Sequence, residues 1–180
     1  MIAVSCQGTG RHTDPEHVLQ DTTVSLMRTA QGRLLTIRFD LLSNRPHLMD
    51  YYAIQGTTGA YEASRAEVNE PLVYLEGTSP EATWEPLEKY ADDYLPEQYR
   101  NPPEGAGHWG SDAWPIINFI SAIESGGPVD IDIYAALDFT LPALAAEASI
   151  ARGGAWVDVP DPRYFTAGIG VDPGKEAPLA

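Results

Sequence analysis

The sequence predicts an α+β fold, an open and mainly antiparallel β-sheet with helices packed on one face. Two patterns carry this prediction. Before residue 80, short runs of alternating apolar and polar residues are separated by turn residues, as in consecutive antiparallel strands. After residue 112, apolar residues recur every three or four positions, which indicates amphipathic helices. The 180 residues suffice for one ordinary domain with a sizeable core.

Four to six strands are predicted before residue 80, and one more near the end of the chain. The candidate strands occupy residues 2–6, Thr22–Arg28, 33–39, 51–54, 60–64, 71–75 and 156–159. The second and third flank a turn at Gly32 and should form a hairpin. In the third strand, alternation points Leu35, Ile37 and Phe39 to one buried face. A helical turn is expected around residues 85–92.

Two helices are predicted in the second half of the chain. The first follows Asp112 and stops at residues 125–128 (Ser-Gly-Gly-Pro). The second is capped by Asp130 or Asp132 and contains Pro142, which should bend it. Its core-facing stripe is predicted to be Ile133, Leu137, Leu141, Leu144 and Ala148. A set of small residues that lets a neighbouring sheet approach closely comprises Ala143, Ala145, Ala146, Ala148 and Ala151.

Charge and cysteine content exclude several classes of protein. The net charge of −15 argues against nucleic acid or an anionic membrane as a partner. Cys6 is the only cysteine, so no internal disulfide or thiolate metal cluster can form. A basic leader is missing, and no window approaches the roughly 20 apolar residues of a membrane span. We therefore expect a soluble, cytoplasmic protein.

Two glycine-containing stretches are candidates for ligand binding. Residues 8–10 (Gly-Thr-Gly) resemble the start of a dinucleotide-binding turn, but Thr13 stands where the third glycine is needed. In residues 107–112 (Gly-His-Trp-Gly-Ser-Asp), the glycines allow the backbone at His108 to approach a ligand closely. One interpretation is a loop histidine followed by a helix cap at Ser111 or Asp112. Another is that His108 and Asp112, four residues apart, act together as acid and base.

Several segments follow one another in the order found in a known family. The segments are residues 21–24 (Asp-Thr-Thr-Val), 55–59 (Gln-Gly-Thr-Thr-Gly), 107–112, 130–138 (Asp-Ile-Asp-Ile-Tyr-Ala-Ala-Leu-Asp) and 148–161, which ends in Val-Pro-Asp. Together they resemble the C-terminal domain of Gfo/Idh/MocA-type oxidoreductases, most closely the branch with NAD-dependent α-N-acetylgalactosaminidase-like glycosidases. The resemblance implies a substrate and oligomerisation domain over residues 1–165, followed by a flexible tail over residues 166–180.

The resemblance also implies a function and a set of site residues. The domain would belong to an NAD(P)-dependent sugar oxidoreductase acting on a carbohydrate or polyol, with Arg45, His108, Asp112 and Tyr134 near the substrate. The family's Rossmann domain, Glu-Lys-Pro segment and Tyr-Pro-Thr-His segment do not occur in this sequence. We therefore expect that this chain alone binds no cofactor and is inactive, and that NAD or NADP is held by the complete enzyme.

Other interpretations stay open at this point. The chain is alternatively part of an NAD-dependent glycosidase, or a stand-alone assembly module. Such a module would form a homo-oligomer through its sheet or pair with a separate Rossmann subunit. The sequence also leaves open whether the chain is itself an enzyme, for example a hydrolase that uses His108 with Asp112.

Overall fold

The computed structural model confirms the α+β class and divides the strands between two sheets. It describes residues 1–46, 48, 50–65 and 69–164. Unit 1 comprises Met1–Asn44 and Pro128–Ala180, and unit 2 comprises Arg45–Gly127. Each unit contains one four-stranded antiparallel sheet. The predicted tail over residues 166–180 lies outside the described residues.

The elements follow the predicted order closely. The strands are β1 (Ala3–Gly8), β2 (Thr22–Arg28), β3 (Leu34–Asp40), β4 (Ala53–Gln55), β5 (Gly59–Glu62), β6 (Leu72–Leu75), β7 (Glu85–Pro86) and β8 (Val157–Asp158). The α-helices are α1 (Ala91–Tyr94), α2 (Glu97–Arg100), α3 (Ala113–Ser125) and α4 (Ile133–Ala151). Helix α3 ends where predicted, because Gly126 adopts a left-handed conformation with φ 63°.

The sheet of unit 1 has the strand order β3-β2-β1-β8. The predicted hairpin is confirmed, and its register sets Met27 beside both Val4 and Leu35 on one face. Helix α4 packs on that face, where Val4 and Met27 join a core cluster with Cys6, Ala145 and Ala146. The sheet and helix thus share one small apolar core.

A buried serine joins the helix to the strand. Ser149 is fully buried on α4, and its Oγ accepts a hydrogen bond from the backbone N–H of Cys6 at 2.9 Å. The same hydroxyl donates to the carbonyl of Ala155 at 2.6 Å, in the turn before β8. One side chain therefore satisfies two backbone groups from different parts of unit 1.

Helix α4 begins at one of the two predicted caps, and it is unusually apolar. Of the two predicted caps, Asp132 is used, since its carboxylate accepts the N–H of Ala135 at 2.8 Å. Pro142 lies within the helix and is buried. Among the described residues, α4 is one helix that is long and apolar enough to cross a membrane by length and composition. The prediction that no such window exists is therefore wrong, although a core helix of a soluble protein passes the same test.

The predicted core stripe of α4 is wrong in part. Ile133 and Leu144 are 66% and 61% exposed, whereas Ala145 and Ala146 are buried. The helix meets the sheet through its small residues, which allow closer approach than leucine would, so the second predicted set describes the contact better.

Unit 2 is built on consecutive strands in the order β4-β5-β6-β7. The strands predicted at residues 51–54, 60–64 and 71–75 are all present with shifted ends. The helical turn expected at residues 85–92 is also present, but it begins later, because β7 first pairs with β6. A 3-10 turn over Leu87–Tyr90 then leads into α1.

A buried carboxylate organises the end of this sheet. Glu85 is 9% exposed and accepts hydrogen bonds from the Lys89 ammonium and the Tyr90 hydroxyl. These hydrogen bonds lower the pKa of Glu85 from an ordinary 4.5 to about 2, and the bond from Lys89 has the largest effect. A lowered carboxyl pKa means that ionised Glu85 stabilises the folded state above pH 4.5, and that this contribution disappears as the pH falls towards 2.

The Glu85→Gln substitution is expected to destabilise unit 2 at neutral pH and to matter progressively less in acid. The measurement is the urea midpoint of wild type and variant at several pH values between about 7 and 2, across the window set by linkage. The exposed neighbour Glu88, changed to Gln, provides the matched control and should show no such convergence. A difference between wild type and Glu85→Gln that stays constant with pH would contradict the assignment.

Candidate functional site

The histidine of residues 107–112 stands in an unusual backbone conformation. His108 has φ 47°, in the left-handed region that residues other than glycine rarely adopt, and Gly110 has φ 94°. His108 is the first and Gly110 the last residue of a 3-10 turn that leads into α3. Strained conformations of this kind persist where the surroundings fix them, and they concentrate at functional sites.

The imidazole of His108 is held by a carboxylate. Its Nδ1 lies 2.8 and 2.9 Å from the two carboxylate oxygens of Asp112. Both side chains are about half exposed, at 51% and 54%. Donation from Nδ1 orients the ring and leaves Nε2 available to a ligand, as an acceptor when the ring is neutral and as a donor when it is protonated. The predicted approach of these residues across the helix start is confirmed.

The predicted helix cap is wrong at both candidate residues. Asp112 occupies the N-cap position of α3, but no side chain caps that helix, because the carboxylate is engaged by His108. The hydroxyl of Ser111 donates to the carbonyl of His108 at 2.9 Å instead of accepting from the helix. The segment therefore uses its polar groups to fix the histidine.

Two glycines make this arrangement possible. A Cβ at Gly107 would lie 2.5 Å from Oδ2 of Asp112, so any side chain there would push the carboxylate away. A Cβ at Gly110 would lie 2.2 Å from Cβ of Pro102, in addition to the strain of a positive φ. The glycine spacing noted in the sequence thus has a packing role.

The other two candidate residues have separate surroundings. Arg45 is an exposed residue of unit 2, the unit that also contains His108 and Asp112. Tyr134 belongs to unit 1 and is 45% exposed. The structure therefore brings two of the four predicted residues into direct contact.

Arg163 is a residue that sequence reasoning missed. Its guanidinium lies 5.9 Å from the ring centroid of Tyr134 and donates to both carboxylate oxygens of Asp138, at 2.6 and 3.0 Å. These hydrogen bonds lower the pKa of Asp138. No local pattern links an arginine to an aspartate 25 residues earlier, so the sequence contained no usable signal.

The described residues do not build a metal site or a dinucleotide turn. No three His, Cys, Asp or Glu side chains among them are grouped to hold a metal ion. The loop at Gly8 and Gly10 joins β1 to the antiparallel β2, and the N–H of Gly10 donates to Oε1 of Gln20. A dinucleotide fingerprint instead leads from a strand into a helix whose N-terminus faces the phosphates.

The fold is similar to part of two solved oxidoreductases. A levoglucosan dehydrogenase in complex with NADH superposes with a TM-score of 0.67 at 20% identity, over 89% of this chain and 45% of that one. An oxidoreductase domain protein from Kribbella flavida gives a TM-score of 0.69 at 16% identity, over 88% and 46%. At these identities the likeness concerns the fold.

The sequence comparison identifies the family. Residues 6–169 match the model described as Glycosyl hydrolase 109, C-terminal domain, and the chain belongs to this family. A glycosyl hydrolase family 109 protein from Stenotrophomonas maltophilia is 31% identical over 170 residues, 93% of this chain and 36% of that protein. An alpha-N-acetylgalactosaminidase from Tannerella forsythia is 32% identical over 153 residues, 83% and 31%. The chain thus spans about a third of these curated relatives.

Proposed function

We propose that this domain supplies substrate contacts in an NAD(P)-dependent enzyme that acts on carbohydrates, with His108 as the main hydrogen-bonding group. The observation that supports this proposal is the half-exposed imidazole fixed by Asp112 and by its own strained backbone. A preoriented ring binds a sugar hydroxyl at low entropic cost, because few rotamers are lost on binding. The relatives named for alpha-N-acetylgalactosaminidase and levoglucosan dehydrogenase activity favour a sugar as ligand.

Within this proposal the remaining residues have distinct tasks. Asp112 positions His108 and keeps a proton on Nδ1, so that Nε2 faces the hydroxyl. Arg45, in the same unit as His108, adds a cationic donor. The cofactor, when bound, supplies hydride chemistry, and we assign it to another domain because the Gly8 to Gly10 loop does not form its turn. The chain alone is therefore inactive.

The outer face of the unit 1 sheet supports oligomerisation. The side of the sheet opposite α4 exposes Val24, Leu26 and Leu34, at 45%, 38% and 64%. Beside them, the guanidinium of Arg28 lies 4.4 Å from the ring centroid of Trp156. Exposed apolar clusters rimmed by polar groups are typical of protein interfaces. We infer a homo-oligomer formed through this face.

The test of the sugar site is a binding measurement on the 180-residue chain. N-acetylgalactosamine and levoglucosan are titrated and followed by NMR chemical shifts. Replacing His108 by alanine is expected to weaken binding about tenfold, the factor for one lost hydrogen bond of about 1.4 kcal/mol. The Asp112→Asn substitution should give a smaller loss, because it misorients the ring without removing it.

The controls separate a sugar site from a merely ordered loop. His12 is exposed, and its ring bonds to the carbonyl of Thr9, so its replacement by alanine should leave sugar binding unchanged. Wild-type affinity in the His108 variant, or no sugar binding by the chain, would count against the proposal. Calorimetry should detect no saturable NAD(H) binding, and micromolar binding would contradict the assignment of the cofactor to another domain.

A further inference from the structure

The backbone of His108 needs support from outside its own turn. Its φ of 47° is unfavourable for a residue with a Cβ, and such a conformation persists only where the surrounding structure fixes it. The hydrogen bonds of His108 with Ser111 and Asp112 lie within the turn and the start of α3, so they move together with the imidazole. Contacts from another segment must therefore hold the turn in place.

The segment that follows α1 supplies two such contacts. The ring of Tyr99, in α2, meets the ring of Trp114 edge to face, with centroids 4.9 Å apart and planes at 85°. Aromatic pairs favour this geometry. Pro102 packs so closely on Gly110 that a Cβ there would lie 2.2 Å from the proline. One contact thus fixes the last residue of the His108 turn, and the other fixes the first turn of α3.

These contacts follow one side of the chain as it enters α3. Gly110, Trp114 and Asn118 are spaced by four residues, and residues four apart in a helix lie on the same face. Nδ2 of Asn118 donates to the Tyr99 hydroxyl at 3.4 Å. Tyr99 therefore touches two successive turns of α3 and fixes the direction in which this helix begins.

Helix α2 is itself anchored within unit 2. The guanidinium of Arg100 donates to the carbonyls of Asp92 and Leu95, at 2.6 and 2.9 Å. Carbonyls at the end of a helix lack partners within the helix, so the arginine ties α2 to the end of α1. Tyr90 precedes α1, is buried, and donates to Glu85 in β7. A continuous series of contacts thus joins the sheet of unit 2 to α2.

We propose that Tyr99 is a positioning residue for the sugar site, and that it acts by holding the start of α3 and thereby the imidazole of His108. This inference rests on the proposed function. Nδ1 of His108 reaches the Asp112 carboxylate across the start of α3, so a helix start that is free to shift would break this hydrogen bond. Nε2 would then no longer be held towards a sugar hydroxyl. Tyr99 is assigned no contact with the sugar.

The first readout is the tautomer of the His108 imidazole. Long-range proton–nitrogen NMR correlations distinguish a proton on Nδ1 from a proton on Nε2. In the wild type, the Asp112 carboxylate should keep the proton of the neutral ring on Nδ1. The Tyr99→Ala substitution should lower the ratio of this tautomer to the other by about twofold or more, the factor for a weak aromatic pair. A role in overall stability alone would leave the tautomer of the folded protein unchanged.

The second readout is the affinity for N-acetylgalactosamine, measured by NMR titration of the 180-residue chain. The Tyr99→Ala substitution should weaken binding about fivefold, within the range of an aromatic pair. In a chain that already contains His108→Ala, the same substitution should cause no further loss, because its effect passes through the imidazole. Additive losses would overturn the proposal, since they would show that Tyr99 acts independently of His108.

Matched variants separate the ring contact from other effects. Tyr99→Phe keeps the ring against Trp114 and should leave both readouts close to the wild type. Tyr94→Ala removes a tyrosine ring that is 72% exposed on α1 and should change neither readout. Circular dichroism shows whether each variant is folded. If Tyr99→Ala is unfolded, Tyr99→Leu takes its place, because it keeps an apolar side chain but lacks the ring.

Failure of this inference differs from failure of the proposed function. An unchanged tautomer in Tyr99→Ala would overturn the positioning role, whether or not a sugar binds. Wild-type sugar affinity in that variant would also overturn it, and would leave the sugar site intact if His108→Ala still weakens binding. If the wild type binds no sugar, the proposed function fails and the role of Tyr99 in a sugar site fails with it.

Discussion

Replacing Ser149 by alanine is expected to lower the free energy of unfolding of unit 1 by about 2–4 kcal/mol. The serine is fully buried, and its hydroxyl bonds to the N–H of Cys6 and the carbonyl of Ala155. Alanine leaves both backbone groups without this partner, and a buried group left unpaired costs about 1–3 kcal/mol. The volume change is small, so the lost hydrogen bonds dominate the effect.

Urea unfolding combined with hydrogen exchange resolved by mass spectrometry measures this loss in unit 1. The matched control is Thr140→Ala on the same helix, where the hydroxyl is exposed and donates to the carbonyl of Ala136 at 2.8 Å. Its removal should change stability by less than about 0.5 kcal/mol, as is usual for surface positions. Equal effects at the two positions would show that the Ser149 contacts do not stabilise the interface between α4 and β1.

The Gly110→Ala substitution is expected to destabilise unit 2 by about 3 kcal/mol. A left-handed conformation costs a residue with a Cβ about 1–2 kcal/mol. The added Cβ would also lie 2.2 Å from the Pro102 ring, and overpacking of this kind costs about 1–3 kcal/mol. Since Gly110 follows the strained His108 so closely, we also expect weaker sugar binding.

Gly105 offers a control that isolates the backbone term of this effect. It has φ 79°, but a Cβ there would meet no atom within 4 Å. The Gly105→Ala substitution should therefore cost only about 1–2 kcal/mol, without a loss of sugar affinity. Hydrogen exchange across unit 2 compares the stability of the two variants. Equal losses of stability would contradict a steric clash between the added Cβ at residue 110 and Pro102.

The alternation of residue types was sufficient to locate the strands, and most clearly the β2–β3 hairpin. Its two strands start and end within a residue of the prediction, because the Gly32 turn fixes where one run ends and the next begins, and residues 35–39 alternate strictly. Alternation indicates that a strand has one apolar and one polar face, but it does not indicate which other strand it pairs with. The division into two sheets was therefore beyond sequence reasoning.

Helix α4 shows where a count of apolar residues fails. Its cap and length follow from local rules that the sequence displays, namely an aspartate that accepts a nearby backbone N–H. The buried face of α4 does not follow from local rules, because the interface with β1 depends on how closely the two backbones approach. Small residues such as Ala145 and Ser149 pack in this interface, while Leu144 lies at the surface.

The candidate site was predictable where it is local. The spacing of His108 and Asp112 predicted their contact, since both lie within one turn of the start of α3. The competing prediction of a helix cap failed, because one carboxylate cannot serve both the imidazole and the backbone in this geometry. The contact of Arg163 with Tyr134 depends on tertiary structure and has no local signature.

Unit 1 is formed by two segments of the chain that are separated by unit 2, so it cannot complete its fold until the second segment has been synthesised. Cys6 and Ser149, which are hydrogen-bonded in the folded protein, are 143 residues apart in the chain. At a synthesis rate of about 5–20 residues per second, β1 waits roughly ten seconds for α4 and β8, although β2 and β3 can pair with it at once. Unit 2 pairs consecutive strands and can close earlier, since local contacts form fastest. Unit 2 is therefore expected to fold first, while β1 to β3 remain exposed to chaperones.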